Sequence, residues 1–304
     1  MKMKFERGDG TDTGCFTRLK MVFVLLISIL LVSCYDVDGG ENASNPIPIG
    51  PPVKGDHLAM GNPSSATNSI ASADNYLMAK DQYALSYNNA KRTANWVSWH
   101  LSTAWIGLVG RQDNFRADAT LPSSWIVANE RSYSGSGFDR GHICPSADRT
   151  LSISDNSATF LMTNMMPQAP NNNQKPWADF ENYCRYVASK GNELYIIAGP
   201  NGVGGSGRYG YKEKVGNEEV VVPKYTWKVA IILMNGENDV VRADAKTRTI
   251  AIWMPNDQTA SSKSWYNYRV SVDDVESKTG FDFFSNLPDD VEKVIEAKVD
   301  NLPI

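Results

Sequence analysis

The chain shows three kinds of hydrophobic patterning. Met21–Ser33 (MVFVLLISILLVS) is an unbroken apolar run of about a dozen residues, shorter than a comfortable membrane span. Tyr35 to about Lys54 has no usable period. It is rich in Gly, Asn, Pro and Asp, and four prolines in Asn45–Pro52 rule out a helix, so this stretch predicts a flexible or extended tether. From about His57 the pattern becomes that of a folded domain. Tyr83–Tyr87 and Trp96–Leu101 alternate as strands, and Asn88–Lys91 between them fits a hairpin turn. Glu193–Gly199, Glu218–Pro223, Tyr225–Leu233 and Arg248–Met254 predict further strands. Helices are predicted over Pro176–Ser189, Val272–Thr279 and Asp289–Lys298. There is no internal repeat and no regular βαβ alternation. An α+β domain around a largely antiparallel sheet follows, with 1–33, 34–56 and 57–304 as leader, tether and folded domain.

Arg18 and Lys20 precede the apolar run, and Leu31-Val32-Ser33-Cys34 ends it. A basic flank, a short core and a small residue before cysteine resemble the bacterial lipoprotein signal, in which that cysteine is lipidated and becomes the first residue. Cys34 is then the lipid-bearing residue and Cys15 is removed. The competing readings are a plain signal peptide and a single anchor helix. The region before Lys20 is long and carries acids, so Met21 is a candidate start. The lipoprotein reading implies an exported protein held in the bacterial cell envelope.

Charge narrows the function classes. The formal net charge is −4, and removal of residues 1–33 takes five basic and three acidic groups from totals of 30 and 34, leaving 25 against 31. An acidic mature chain is not a histone-like wrapper of nucleic acid, so contact with a polyanion requires a local basic patch. Only His57, His100 and His142 are present, which disfavours a multi-histidine zinc site. Cys15, Cys34, Cys144 and Cys184 form no CxxC pair. Cys144 and Cys184 remain open between a disulfide and two buried thiols.

Two segments carry the chemistry. Phe138-Asp139-Arg140-Gly141-His142 sets an imidazole beside a guanidinium, and Asn173-Gln174-Lys175-Pro176-Trp177-Ala178-Asp179-Phe180-Glu181 offers an amide oxygen and then a carboxylate. Base, cation, neutral oxygen ligand and acid are what a metal-assisted attack on a phosphodiester needs. Pro176 suits the first turn of a helix. Asn173 then lies just before that helix and Glu181 about one and a half turns inside it, while Trp177, Phe180 and Cys184 share an inward face. Taken alone, Asp-Arg-Gly-His passes for a turn, Asn171–Asn173 for a loop, and Glu181 for a solvated helix residue. His57 and His100 belong to no motif and read as structural.

Together, D-R-G-H and N-Q-x-x-W-x-x-x-E resemble the DNA/RNA non-specific endonucleases, the ββα-metal (His-Me finger) nucleases of the Serratia nuclease and endonuclease G type. Asn95–Val97, Thr163–Gln168, Val222–Val229 and Thr279–Phe284 resemble that family too, so the likeness runs from roughly residue 57 to 297. It implies a ββα-metal fold with a central, largely antiparallel sheet and flanking helices, and cleavage of DNA, with RNA open as a second substrate, leaving 5′-phosphate ends. It implies His142 as general base, Asn173 as the direct protein ligand of Mg²⁺ or another divalent cation such as Mn²⁺, Glu181 holding that metal through water, and Arg140 adding positive charge at the phosphate. A second arginine is expected before D-R-G-H: Arg111, with Arg116 as the alternative. Asp139 braces the motif rather than reacting. The runner-up is a surface lipoprotein that binds nucleic acid without cutting it, and a phosphodiesterase for smaller substrates is the third reading.

Mass spectrometry of the mature amino terminus is expected to find a lipid-modified Cys34 as the first residue. An unmodified residue 34 would remove the anchor.

Overall fold

Near-continuous apolar runs such as Glu193–Gly199 and Tyr225–Leu233 fit strands of a sheet covered on both faces. The computed structural model describes residues 50–303. The leader at 1–33, Cys15, Cys34 and the tether up to residue 49 lie outside the described residues. A seven-stranded sheet is built from β1 (Tyr76–Ala79), β2 (Ala84–Asn88), β3 (Thr93–Leu101), β6 (Asn192–Asn201), β7 (Tyr225–Met234), β8 (Arg248–Pro255) and β9 (Arg269–Val270), in that spatial order. Every neighbouring pair is antiparallel. On β3, Val97, Trp99 and Leu101 face one cluster while Trp96 faces the other. On β6, Ile196 and Ala198 face the first, Tyr195 and Ile197 the second. This is period two with both sides apolar, the signature of a sheet sandwiched between layers.

The first cluster takes Trp177, Phe180 and Cys184 from the helix Ala178–Ser189 and the turn before it. The second takes Val272 and Val275 from the helix Val272–Thr279 and Ile295 from the helix Asp289–Glu296. The helix Val272–Thr279 keeps its predicted bounds because both ends are signalled: Ser271 Oγ accepts from Asp274 N at 3.1 Å, and Gly280 closes the helix at φ 74°. The β2–β3 hairpin turns where expected, with Asn88 Oδ1 accepting from Lys91 N at 2.9 Å and Arg92 in the left-handed region at φ 59°.

Several local expectations are corrected. Glu218–Pro223 is no full strand. Only Val220–Val221 pairs, with Lys214–Val215, because Glu219 takes φ 54° before it and Pro223 has no N–H to donate after it. Regular helix begins at Ala178, not Pro176. Lys175, the residue before proline, leaves the helical region at φ −122°, ψ −105°, and Asn173–Trp177 forms a π turn that absorbs the break. The last helix stops at Glu296, two residues short of the predicted end. Residues 50–56, expected as tether, lie against the folded body: Gly50 N donates to Asn235 O and Gly55 N to His100 Nδ1, while Val53 O accepts from Ser102 Oγ. Among the described residues no helix is long and apolar enough to cross a membrane.

Two short strands outside the main sheet form the platform for the motifs. Asp139–His142 (β4) pairs antiparallel with Met165–Gln168 (β5), setting His142 opposite Met165 and Asp139 opposite Gln168. The π turn and the helix Ala178–Ser189 follow β5 closely, completing a strand–strand–helix unit. Close approach of β4 to β5 depends on Gly141, where an added Cβ would lie 2.6 Å from Gln168 Cβ. Gln168 is fully buried and donates to Asn172, so it has nowhere to move. Gly141→Ala is therefore expected to cost about 1–3 kcal/mol of stability, measured by urea unfolding, through overpacking of this pair.

Candidate active site

β4 delivers Asp139, Arg140 and His142, and the turn after β5 delivers Asn173 and Gln174. A cavity of about 270 Å³ is lined by Arg111, Arg140, His142, Ser146, Asn173, Gln174 and Glu181 among others. A neighbouring cavity of about 390 Å³ shares Arg111, Arg140 and Asn173 and adds Asp139, Asp113 and Glu130. A third cavity, about 600 Å³, lies against Tyr183, Tyr186, Met234 and Arg248 and holds none of the motif residues.

Asn173 is oriented by charge. Its Nδ2 donates to Asp139 Oδ2 at 2.9 Å, and Gln174 Nε2 donates to the same oxygen at 2.8 Å. An ionised carboxylate only accepts, so the amide nitrogen must face Asp139, and Asn173 Oδ1 is left without a hydrogen bond among the described residues. Asp139 thus braces both motif segments. Glu181 is held differently. Its Oε1 accepts from Lys228 Nζ at 2.6 Å, and that ammonium lies 3.9 Å from the centre of the Trp177 ring. Burial raises the Glu181 carboxyl above its usual range, with Lys228 pulling the other way. Lys228 itself is 1% exposed. It stands on β7 in Thr226-Trp227-Lys228-Val229, where alternation turns it to the helix side of the sheet.

His142 is walled by aromatic edges, Phe160 at 4.8 Å and Phe115 at 5.6 Å between ring centres. Its carbonyl accepts from Trp177 Nε1 at 3.2 Å, which ties β4 to the motif helix. Nε2 is buried without a hydrogen-bond partner. Burial, then the charges of Arg111, Arg140 and Lys228, lower its pKa to about 3. The imidazole is therefore neutral at any physiological pH. Arg140 lies 3.9 Å from the Phe115 ring centre and donates to Glu130 O. Arg111 lies 4.8 Å from the Phe160 ring centre and donates to Ser146 Oγ and Asp113 Oδ1. Of the two arginine candidates only Arg111 lines the cavities. Arg116 turns to Asn114 O and Ser157 O.

The donor set fits a hard divalent cation: an unengaged amide oxygen on Asn173 and a second carboxylate oxygen on Glu181, beside one cavity lined by no thiol and by a single imidazole, that of His142. The remaining candidates sit elsewhere. Cys144 and Cys184 are free, buried thiols, pushed up to about 12 by burial. His57 Nε2 meets Asp81 O at 2.9 Å and its Nδ1 accepts from His100 N. His100 meets Glu193 Oε2 at 3.1 Å with both side chains fully buried. Both histidines are thus engaged in packing contacts. Lys228 received no role from the sequence, although one lysine inside the apolar run Tyr225–Met234 was the available signal.

The His142 shift has a signed consequence. The unfolded chain protonates this ring near its ordinary value and the folded one only near 3, so stability attributable to it is complete above about pH 6.5 and falls as pH drops toward 3, by about 1.4 kcal/mol per unit. Urea titrations between pH 7 and 4 are expected to show His142→Ala losing less stability than the parent. His57, lowered to about 4, contributes equally to both chains.

Comparisons with known proteins address the family and the fold. Residues 61–290 match the family model for DNA/RNA non-specific endonuclease. A nuclease of Nostoc sp. is 53% identical over 245 residues, covering 81% of this chain and 86% of that protein. The mitochondrial nuclease EXOG of Xenopus laevis is 32% identical, covering 68% of this chain and 58% of its own length. A chain of the EndoG/EndoGI complex has the same fold, with a TM-score of 0.63 at 22% identity over 77% of this chain and 92% of that one. The chain belongs to the DNA/RNA non-specific endonuclease family.

Proposed function

We propose that this chain is a metal-dependent, sugar-non-specific endonuclease that hydrolyses phosphodiester bonds of DNA and RNA, with His142 as general base. The observation that carries this reading is the single cavity lined by His142, Asn173, Glu181, Arg111 and Arg140. A neutral imidazole walled from solvent can accept a proton from an attacking water without first losing one. Arg111 and Arg140 set two guanidinium groups where a phosphate would enter, offering charge to its oxygens as they become more negative. Asn173 Oδ1 would hold Mg²⁺ or Mn²⁺ directly and Glu181 through water. The cation supplies further charge at the phosphate and the leaving oxygen when bound. Lys228 opposes the upward shift that burial gives Glu181 and fixes its carboxyl in place, and Asp139 keeps the Asn173 oxygen aimed at the cavity. Such contacts address sugar and phosphate, not base edges, and so carry no sequence preference. The lipoprotein-like leader adds an exported, lipid-anchored location in the cell envelope.

In a plasmid-nicking assay, His142→Ala is expected to lower cleavage by about 10²–10⁴-fold with its thermal unfolding intact. Asn173→Ala is expected to move the Mg²⁺ dependence of the rate at least about tenfold upward. Full activity in the first variant would refute the general-base role, and cleavage indifferent to a chelator would refute the metal.

A further inference from the structure

On the opposite face of the sheet from the motif helix, two helices turn acids toward each other. The helix Val272–Thr279 carries Asp273 and Glu276 three residues apart, and the helix Asp289–Glu296 carries Glu292 and Glu296 four apart. Each spacing puts its pair on one helix face. Carboxylate oxygens of Asp273, Glu276 and Glu296 lie within 4.8 Å of one another. Glu296 is only 5% exposed, and its Oε1 is buried with no hydrogen-bond partner. Glu292 Oε1 is buried and unpartnered as well. Glu276 spends Oε1 on Phe283 N at 2.7 Å and keeps the other oxygen. No ion pair among the described residues reaches these four acids. Lys278, on the first helix, turns to Asp274, and Lys298, just past the second, donates to Ala245 O.

Such an arrangement is costly as it stands. Like charges at this distance cannot all ionise, and a buried carboxylate oxygen without a partner bears its full desolvation penalty. Asp282 and Asp289 add to the repulsion. Burial and the surrounding carboxylates push Glu296 up to about 9 and Glu292 up to about 7. A divalent cation offsets the repulsion among Asp273, Glu276 and Glu296 and supplies a partner where Glu296 lacks one. Oxygens bound to Ca²⁺ lie about 2.3–2.6 Å from the ion, so ligands on opposite sides are about 5 Å apart, which matches the spread of this cluster. The donors are all carboxylate oxygens, with no histidine or thiol, which selects a hard ion over zinc.

We propose that Asp273, Glu276 and Glu296 form a calcium site, with Glu292 beside them, which staples the helix Val272–Thr279 to the helix Asp289–Glu296. The site stabilises the fold and takes no part in the cleavage chemistry. Glu292 and Glu296 lie beyond residues 61–290, the segment matched to the family.

Calcium chloride titrated into the full chain carrying Asn173→Ala, which weakens metal binding at the cleavage site, tests this by calorimetry and thermal unfolding. Saturable one-to-one binding is expected, with a Kd of about 10⁻⁴–10⁻³ M for so open a site. At a hundredfold excess over Kd the Tm should rise by about 5–10 °C. Adding Glu296→Gln should weaken binding at least tenfold while raising the Tm in calcium-free buffer, since a buried repulsive group is relieved. Asp273→Asn, at an exposed position, should weaken binding without touching the core. Absence of saturable binding in the Asn173→Ala chain, or binding unchanged by both acid substitutions, would overturn the proposal.

Discussion

One carboxylate decides what the cleft can do. Asp139 accepts from both Asn173 and Gln174, and because an ionised carboxylate has no proton to give, it sorts the two ends of each amide. Nitrogen goes to the acid and oxygen goes to the cavity. The same contact ties β4 to the π turn, so the strand that presents His142 and the turn that presents Asn173 cannot drift apart independently. The π turn is part of this device. A regular helix through Pro176 would carry residue 173 elsewhere on the helical wheel, and the distortion at Lys175 is what leaves Asn173 facing Asp139.

A second ion pair acts from beneath. Lys228 is buried in the middle of a sheet whose neighbours are apolar, a position no lysine occupies without a partner. Glu181 is that partner, and the Trp177 face is the remaining wall. Arg111, Arg140 and Lys228 thus surround the site; Lys228 is paired with Glu181 and Arg111 with Asp113, while Arg140 has no carboxylate partner among the described residues. A chain with a net charge of −4 thus keeps one guanidinium free of carboxylate partners at the cleft, a local positive charge of the kind that contact with a polyanion requires.

Local patterns were legible in the sequence and long-range partnerships were not. D-R-G-H and N-Q-x-x-W-x-x-x-E each hold their residues within nine positions, so spacing alone put Trp177, Phe180 and Cys184 on the core side. The long strands β6, β7 and β8 were legible because apolar runs of seven to ten residues bounded by turns leave little choice. β4 and β5 were not, since Asp-Arg-Gly-His and Met-Met-Pro-Gln lack β-branched residues and pair only because the platform between core and cleft demands it. Spacing could not choose between Arg111 and Arg116. The choice rests on which guanidinium finds carbonyl partners at Asn114 and Ser157 and which stays over Phe160 in the cleft. Lys228 escaped notice because its partner is 47 residues distant.

The depressed pKa of His142 poses a difficulty for a general base, because a weakly basic imidazole is a poor proton acceptor. Its causes resolve part of it. Burial among Phe115 and Phe160 is permanent, but the repulsion from Arg111 and Arg140 is not. In the proposed mechanism a phosphodiester lodged against those guanidinium groups brings the negative charge that offsets them, and the imidazole regains the part of its basicity that they had removed. On that proposal the residues that bind the phosphate also set the strength of the base. Without substrate, the same ring stays neutral and available instead of being locked as a cation. Charge complementarity, so read, joins binding to proton transfer, and the proposal requires that substituting either arginine alter the pH dependence of the reaction as well as affinity.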